Sequence, residues 1–204
     1  MDRRTSIQWV LSAAAAWPLL RIRAGRADSL PPRGYGTDPN LAVNYQPGEV
    51  WPLTCTAPQR RLAGILSDII IPADDRSPSA SAAGVVDFID EWVSAPYPDF
   101  QRDRGVVVGG FAWLDAEAGR RFGKAFFELD SAAQHGICDD ICDESRAGAA
   151  LREPAHFFAL YRDLTAGAFY STPVGRKDLN YIGNAPLAAF DGPPLALLKS
   201  LGLA

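Results

Sequence analysis

Apolar side chains recur at helical spacing over most of this chain, and nowhere do they alternate as in a half-buried strand. Leu62, Ile65, Leu66 and Ile69 form one stripe. It opens at Thr56-Ala-Pro-Gln59, where Thr56 and Gln59 have capping-box spacing and Pro58 suits a first turn. Pro72 ends it, and 72–84 (PADDRSPSASAAG) reads as a loop. Val85, Phe88, Ile89, Trp92 and Val93 make a second stripe, ended by Pro96 and Pro98. A third helix is predicted over about 99–119. Its Gly105, Gly109 and Gly110 each weaken it by about 1 kcal/mol relative to alanine, or else let another helix approach closely. A short helix is predicted over 120–128. Ser131 and Gln134 predict a second capping box, opening a helix through Ile137, Ile141 and Cys142. Pro154 suits the first turn of a helix carrying Phe157, Phe158, Tyr161 and Leu164. From Ser171 on, proline and glycine return, predicting an extended tail with a short final helix near 194–201. The expected fold is all-α: a compact irregular bundle of about five helices over 54–204, with an extended N-terminal arm and a C-terminal tail.

Before that domain the pattern changes twice. Residues 1–27 read as an export leader of the twin-arginine type. Arg3 and Arg4 precede an uncharged apolar stretch, 7–20, too short to span a bilayer, and small residues then allow cleavage after Ala27. Arg21, Arg23 and Arg26 follow the apolar stretch, which disfavours the general secretory route and suits a route that moves folded cargo. Ser6 stands where the motif usually has a bulky apolar residue, so an ordinary secretory signal or an uncleaved amphipathic arm are the alternatives. Residues 28–53 are rich in proline, glycine and asparagine and read as an extended arm. Its Tyr35, Tyr45 and Trp51 imply docking, either on the chain's own body or on another chain.

Charge narrows the function. The chain carries a net −4, and the acidic character is stronger in the body, where 15 bases face 23 acids after Ala27. Such a body is poorly suited to neutralising nucleic-acid phosphates. No run of about 18 apolar residues marks a membrane-spanning helix.

Motifs that carry chemistry are scarce. There is no G-x-G-x-x-G after a strand, no P-loop, no G-x-S-x-G and no C-x-x-C. His135, Cys138 and Cys142, at i, i+3 and i+7, share one helical face and form the only metal-like cluster, whereas zinc needs three or four converging ligands. Asp74 and Asp75 read as helix termination and a loop cap, since adjacent acids on a loop lack a group to separate their pKa values. The three cysteines, Cys55, Cys138 and Cys142, are an odd set in a chain bound for an oxidising compartment. Cys138 and Cys142 lie four apart on the predicted helix, a poor geometry for a mutual disulfide. One of them is therefore expected to pair with Cys55, tying the arm to the body, and the other to reach a partner chain. The alternative is three buried reduced thiols acting as small apolar residues.

Two stretches carry a resemblance: LTCTAPQRRLAGILSDIIIPADDRSPSASAAGVVDFIDEWVSA (53–95), and FFALYRDLTAGAFYSTPVGRKDLNYIGNAP (157–186), the latter preceded by FGKAFFELDSAAQ (122–134). In order they give a helix ending in IIP-x-DD, a small-residue loop, GV-x-DFID, a YR-x-LT helix, a Y-x-T-P-x-G step and a Y-x-G-x-P tail. Together these resemble the small-subunit (subunit 3, or gamma) family of gluconate 2-dehydrogenase, to which the small subunits of flavin-dependent glucose, fructose and sorbitol dehydrogenases are similar. The resemblance covers about 53–190. It implies a small subunit with no cofactor and no catalytic residues of its own, FAD in a large dehydrogenase subunit, and haem in a membrane cytochrome c subunit. It also implies transport by the twin-arginine translocase as the export partner and stabiliser of the large subunit, and a periplasmic location held to the inner membrane through the complex. A stand-alone periplasmic binding protein of the same fold is the alternative. A chain holding a folded flavoprotein needs an aromatic surface, and Trp51, Trp92, Trp113, Tyr97, Tyr170 and Tyr181 are the candidate interface residues, with ordinary core as the alternative for each and interface favoured for Trp51 and Tyr181, which lie in proline- and glycine-rich segments.

Overall fold

The computed structural model describes residues 39–40, 42–181, 183 and 192–203. The expected leader, with Arg3 and Arg4, and Tyr35 of the arm lie outside the described residues. The chain divides into two units, one ending at Gln46 and one starting at Pro47. In the first, the Tyr45 hydroxyl accepts a hydrogen bond from the Asn40 N–H at 3.2 Å.

The second unit is an all-α bundle: 62% of the described residues are helical and none lies in a strand. Its helices are α1 (Ala57–Ile70), α2 (Val85–Ser94), α3 (Pro98–Phe122), α4 (Ser131–Asp139), α5 (Arg152–Ser171), α6 (Pro173–Asp178) and α7 (Leu195–Ser200). Five of these have seven residues or more. No helix among the described residues is long and apolar enough to cross a membrane.

Local chemistry explains most boundaries. Thr56 and Gln59 form the reciprocal capping box of α1, with Pro58 in its first turn. In the loop that follows, Asp74 Oδ1 accepts from the N–H groups of Arg76 and Ser77, both at 2.8 Å, as a capping aspartate does. Pro98 is the first residue of α3 rather than only the stop for α2.

Four predicted boundaries move. The short helix expected over 120–128 is instead the end of α3 followed by a single 3₁₀ turn, Phe126–Glu128. Gly123, at φ 70°, adopts the left-handed conformation that closes α3. The capping residue of α4 is Asp130, whose carboxylate accepts from the Ala133 N–H at 2.8 Å, and not Ser131. Gln134 is buried and its amide donates to the Phe126 carbonyl at 3.1 Å, so it is engaged away from the helix start. Helix α4 stops at Asp139, where the Ile141 N–H reaches back only three residues to the Cys138 carbonyl. Cys142 therefore lies beyond the helix. The tail expected to be extended from Ser171 contains α6, started by the Thr172 hydroxyl and Pro173.

The core gathers where α3 and α5 cross, flanked by α1 and α2. Phe111, Phe157 and Tyr161 form its aromatic centre, with ring centroids 5.6–5.9 Å apart. Tyr161 is buried, and its hydroxyl donates to the Ala63 carbonyl at 2.9 Å and pairs with the Ser67 hydroxyl at 3.0 Å, joining α5 to α1. Gly110 on α3 lies directly beneath the Phe157 ring, while Gly105 and Gly109 face open space. Of the three glycines read as allowing close approach, only Gly110 does so among the described residues.

Candidate partner-docking surface

The spacing of Phe88 and Trp92, four apart on α2, puts both rings on one face. Pro96 and Pro98 then reverse the chain, so that Phe100, near the start of α3, returns onto Trp92 at 4.1 Å between centroids. Phe88 stacks on Trp92 at 5.8 Å, Tyr97 meets Phe100 edge-on at 5.4 Å, and Trp51 meets Tyr97 edge-on at 6.0 Å. Five rings thus make one continuous row across the α2–α3 corner. Each such contact is worth about 0.5–1.5 kcal/mol beyond area burial. The row stays partly open to water: Phe88 is 39% exposed and the other four rings are half-buried. Two indoles are fixed by hydrogen bonds, Trp92 Nε1 donating to Asp103 at 2.8 Å and Trp51 Nε1 to the Glu91 carbonyl at 3.0 Å.

Trp51 belongs to a strap, residues 47–55, laid along α2. The Gly48 N–H donates to Glu91 at 2.6 Å. Thr54 and Cys55 donate their N–H groups to Asp90 at 3.2 and 3.1 Å, and Thr54 also donates to the Ser94 hydroxyl at 3.0 Å. Residues 47–53 of the predicted arm therefore dock on the chain's own body. Asp90 is the hub, also paired with Arg60 at 2.6 Å.

The other candidate interface residues lie elsewhere. Tyr170 packs edge-on against buried Phe169 at 5.2 Å at the end of α5, and Tyr181 is 58% exposed beyond α6. No ring contact joins either to the Trp51–Tyr97 pair among the described residues. In the sequence Phe88 is one position of the second apolar stripe, and Phe100 stands outside the stripes. The signal for them was the i, i+4 aromatic pair followed by two prolines, which together fold a third ring back.

All three cysteines are free thiols in the structure, and no bridge ties Cys55 to Cys138 or Cys142. The hydrogen bonds to Asp90, Glu91 and Ser94 hold the strap instead. Burial, then the neighbouring Asp90 carboxylate, pushes the Cys55 thiol up to about 12. Burial likewise pushes Cys138, on the inward face of α4, up to about 12. Cys142 is exposed, its thiol donating to the Asp139 carbonyl at 3.3 Å. Since the thiolate is the nucleophile, a native, reduced sample is expected to take one equivalent of iodoacetamide rapidly at pH 8, at Cys142, and the rest only on denaturation. Peptide mapping that finds Cys55 alkylated as fast as Cys142 would contradict this.

The metal-like cluster does not assemble. His135 is exposed and its Nδ1 is turned back to the Ser131 carbonyl at 2.7 Å, while Cys138 is buried and Cys142 is off the helix. No group of three or more potential ligands converges among the described residues. His156 sits instead beside Glu144 at 3.2 Å on the surface.

Comparison with known proteins gives one match. The family model described as gluconate 2-dehydrogenase subunit 3 matches residues 57–192, a span from the first residue of α1 past the end of α6. No curated protein and no solved structure matches the chain. With two thirds of its length inside that match, this chain belongs to the gluconate 2-dehydrogenase subunit 3 family and is thereby a subunit of a larger dehydrogenase complex.

Proposed function

We propose that this chain is the non-catalytic small subunit of a periplasmic, flavin-dependent sugar or sugar-acid dehydrogenase, and that it serves as export partner and stabiliser of the FAD-bearing large subunit. The observation that carries this reading is the family match over 57–192. It is supported by the paired Arg3 and Arg4 ahead of an apolar stretch, a leader suited to folded cargo. A flavoprotein has to fold around its cofactor before export, so a partner that supplies such a leader solves the transport problem for both chains. The cytochrome c subunit carries electrons to the membrane, and substrate chemistry belongs to the large subunit. The exposure of Cys142, outside the helix, supports it as the thiol that would meet a partner chain.

The test is to express the large subunit with the wild-type chain, with Arg3→Lys/Arg4→Lys, and without the chain. Periplasmic dye-linked dehydrogenase activity is expected only with the wild type, the other two leaving the large subunit in the cytoplasm. Normal periplasmic activity of the large subunit expressed alone would refute the role.

A further inference from the structure

We propose that the aromatic row Phe88–Trp92–Phe100–Tyr97–Trp51 is the face that seats the large subunit, and that it takes a partner surface presenting arginine or lysine around an apolar hollow. This rests on the small-subunit reading above and adds the surface and its complement.

The row has the make-up of a binding hot spot. Trp and Tyr, with Arg opposite, dominate the energetics of protein interfaces because they bring large area with few rotatable bonds. Here the rings are also pre-set. Edge and stacking contacts run along the row, and both indoles are hydrogen-bonded, so little freedom remains to be lost on docking. Phe88, at the outer end, leaves 39% of its surface in water.

Charge selects the occupant. Asp87, Glu91, Asp99 and Asp103 neighbour the rings along α2 and α3, with Trp92 bonded to Asp103 and Trp51 to the Glu91 carbonyl, against Arg60, Arg102 and Arg104. Arg60 is already paired with Asp87 and the buried Asp90, and Arg102 with Asp99. The rim is therefore acidic on balance. A second copy docking across a two-fold axis would set this rim against itself. An anionic bilayer would be repelled in the same way. A basic protein face gains on both counts, since guanidinium and ammonium groups pair with the rim and stack on the ring faces.

The experiment uses the full chain and the large flavin-bearing subunit, co-expressed, purified and titrated at several salt concentrations. Phe88→Ala is expected to raise Kd at least about tenfold, while the loss of one partly exposed ring contact lowers the melting temperature of the chain by about 2–6 °C and leaves it folded. Asp99→Lys is expected to raise Kd about fivefold and to flatten its salt dependence. Leu201→Ala, at a 62% exposed leucine beyond α7, is the control and is expected to bind as the wild type. If Phe88→Ala and Asp99→Lys bind as the wild type, or if only Leu201→Ala weakens the complex, the assignment of this face is wrong while the small-subunit reading stands. A wild-type dimer in sedimentation that Phe88→Ala dissolves, or Phe88-dependent binding to phosphatidylserine vesicles, would also overturn it. If the wild type fails to bind the large subunit at all, the small-subunit reading itself fails.

Discussion

Gly110→Ala is expected to destabilise the body by about 3 kcal/mol, the upper range for overpacking a core, and to lower its melting temperature by roughly 6–12 °C. The added Cβ would overlap three carbons of the Phe157 ring. Phe157 has nowhere to retreat: it is 1% exposed and wedged against Phe111 and Tyr161. Relief would have to come from moving α3 and α5 apart, which loosens the largest helix–helix contact in the bundle. The gain in helix propensity from replacing glycine, about 1 kcal/mol, does not offset this. The same substitution at Gly105 or Gly109 meets nothing and is expected to be neutral or stabilising by up to about 1 kcal/mol. Thermal melts of the three variants separate the explanations. Pairing Gly110→Ala with Phe157→Ala completes the case. Phe157→Ala alone costs about 3–5 kcal/mol, and the double variant is expected to cost little more, because the clash is gone. If the two losses simply add, Gly110 acts through something other than this ring.

Asp90→Ala is expected to cost about 3–5 kcal/mol and to free the strap. Asp90 is 1% exposed and receives hydrogen bonds from the N–H groups of Thr54 and Cys55, the Ser94 hydroxyl and the Arg60 guanidinium. Removing its carboxylate leaves these donors without their shared acceptor at the point where 47–55 joins the body. Limited proteolysis is the sensitive readout: cleavage within 47–55 is expected to accelerate well before the bundle melts. Asp90→Asn keeps one acceptor oxygen and the shape, and is expected to cost about half as much. The pH dependence has a definite sign. Burial pushes the Asp90 carboxyl up, but the Arg60 guanidinium and the donors from Cys55 and Thr54 outweigh it, holding its pKa below the ordinary aspartate value. A folded-state pKa below the unfolded one adds stability that is fully present above the unfolded value of about 4 and is lost as pH falls through the folded value. The gap in melting temperature between wild type and Asp90→Asn is therefore expected to be constant from pH 5 to 7 and to shrink below about pH 4. A gap that widened on acidification would show that the carboxylate is not the stabilising species.

The elements that read most directly from the chain were those whose signals are local. The Thr56/Gln59 box, the proline stops and the apolar stripes of α1, α2 and α5 all act within one or two turns, and the structure keeps them. Boundaries failed where a residue with a local role was recruited by a distant one. Gln134 had the spacing for a capping box but serves the Phe126 carbonyl across the core. Phe122 continued α3 because the left-handed position it needed to end on was supplied one residue later by Gly123. Helix α6 was hidden by Pro173 and Gly175, which usually mark loops but here stand in a helix started by Thr172.

By itself the sequence determined the helical class, the order of the long helices and the family, because each depends on residue identity and on spacing within a few turns. Only the tertiary structure decided which glycine is essential, which aromatics form one surface and which thiol is open. Gly105, Gly109 and Gly110 are alike along the chain, and only the crossing of α5 distinguishes them. Trp51 and Phe88 are 37 positions apart, and no local rule joins them. Such choices are made by packing between segments far apart in sequence, where burial of one ring fixes the neighbours another can have.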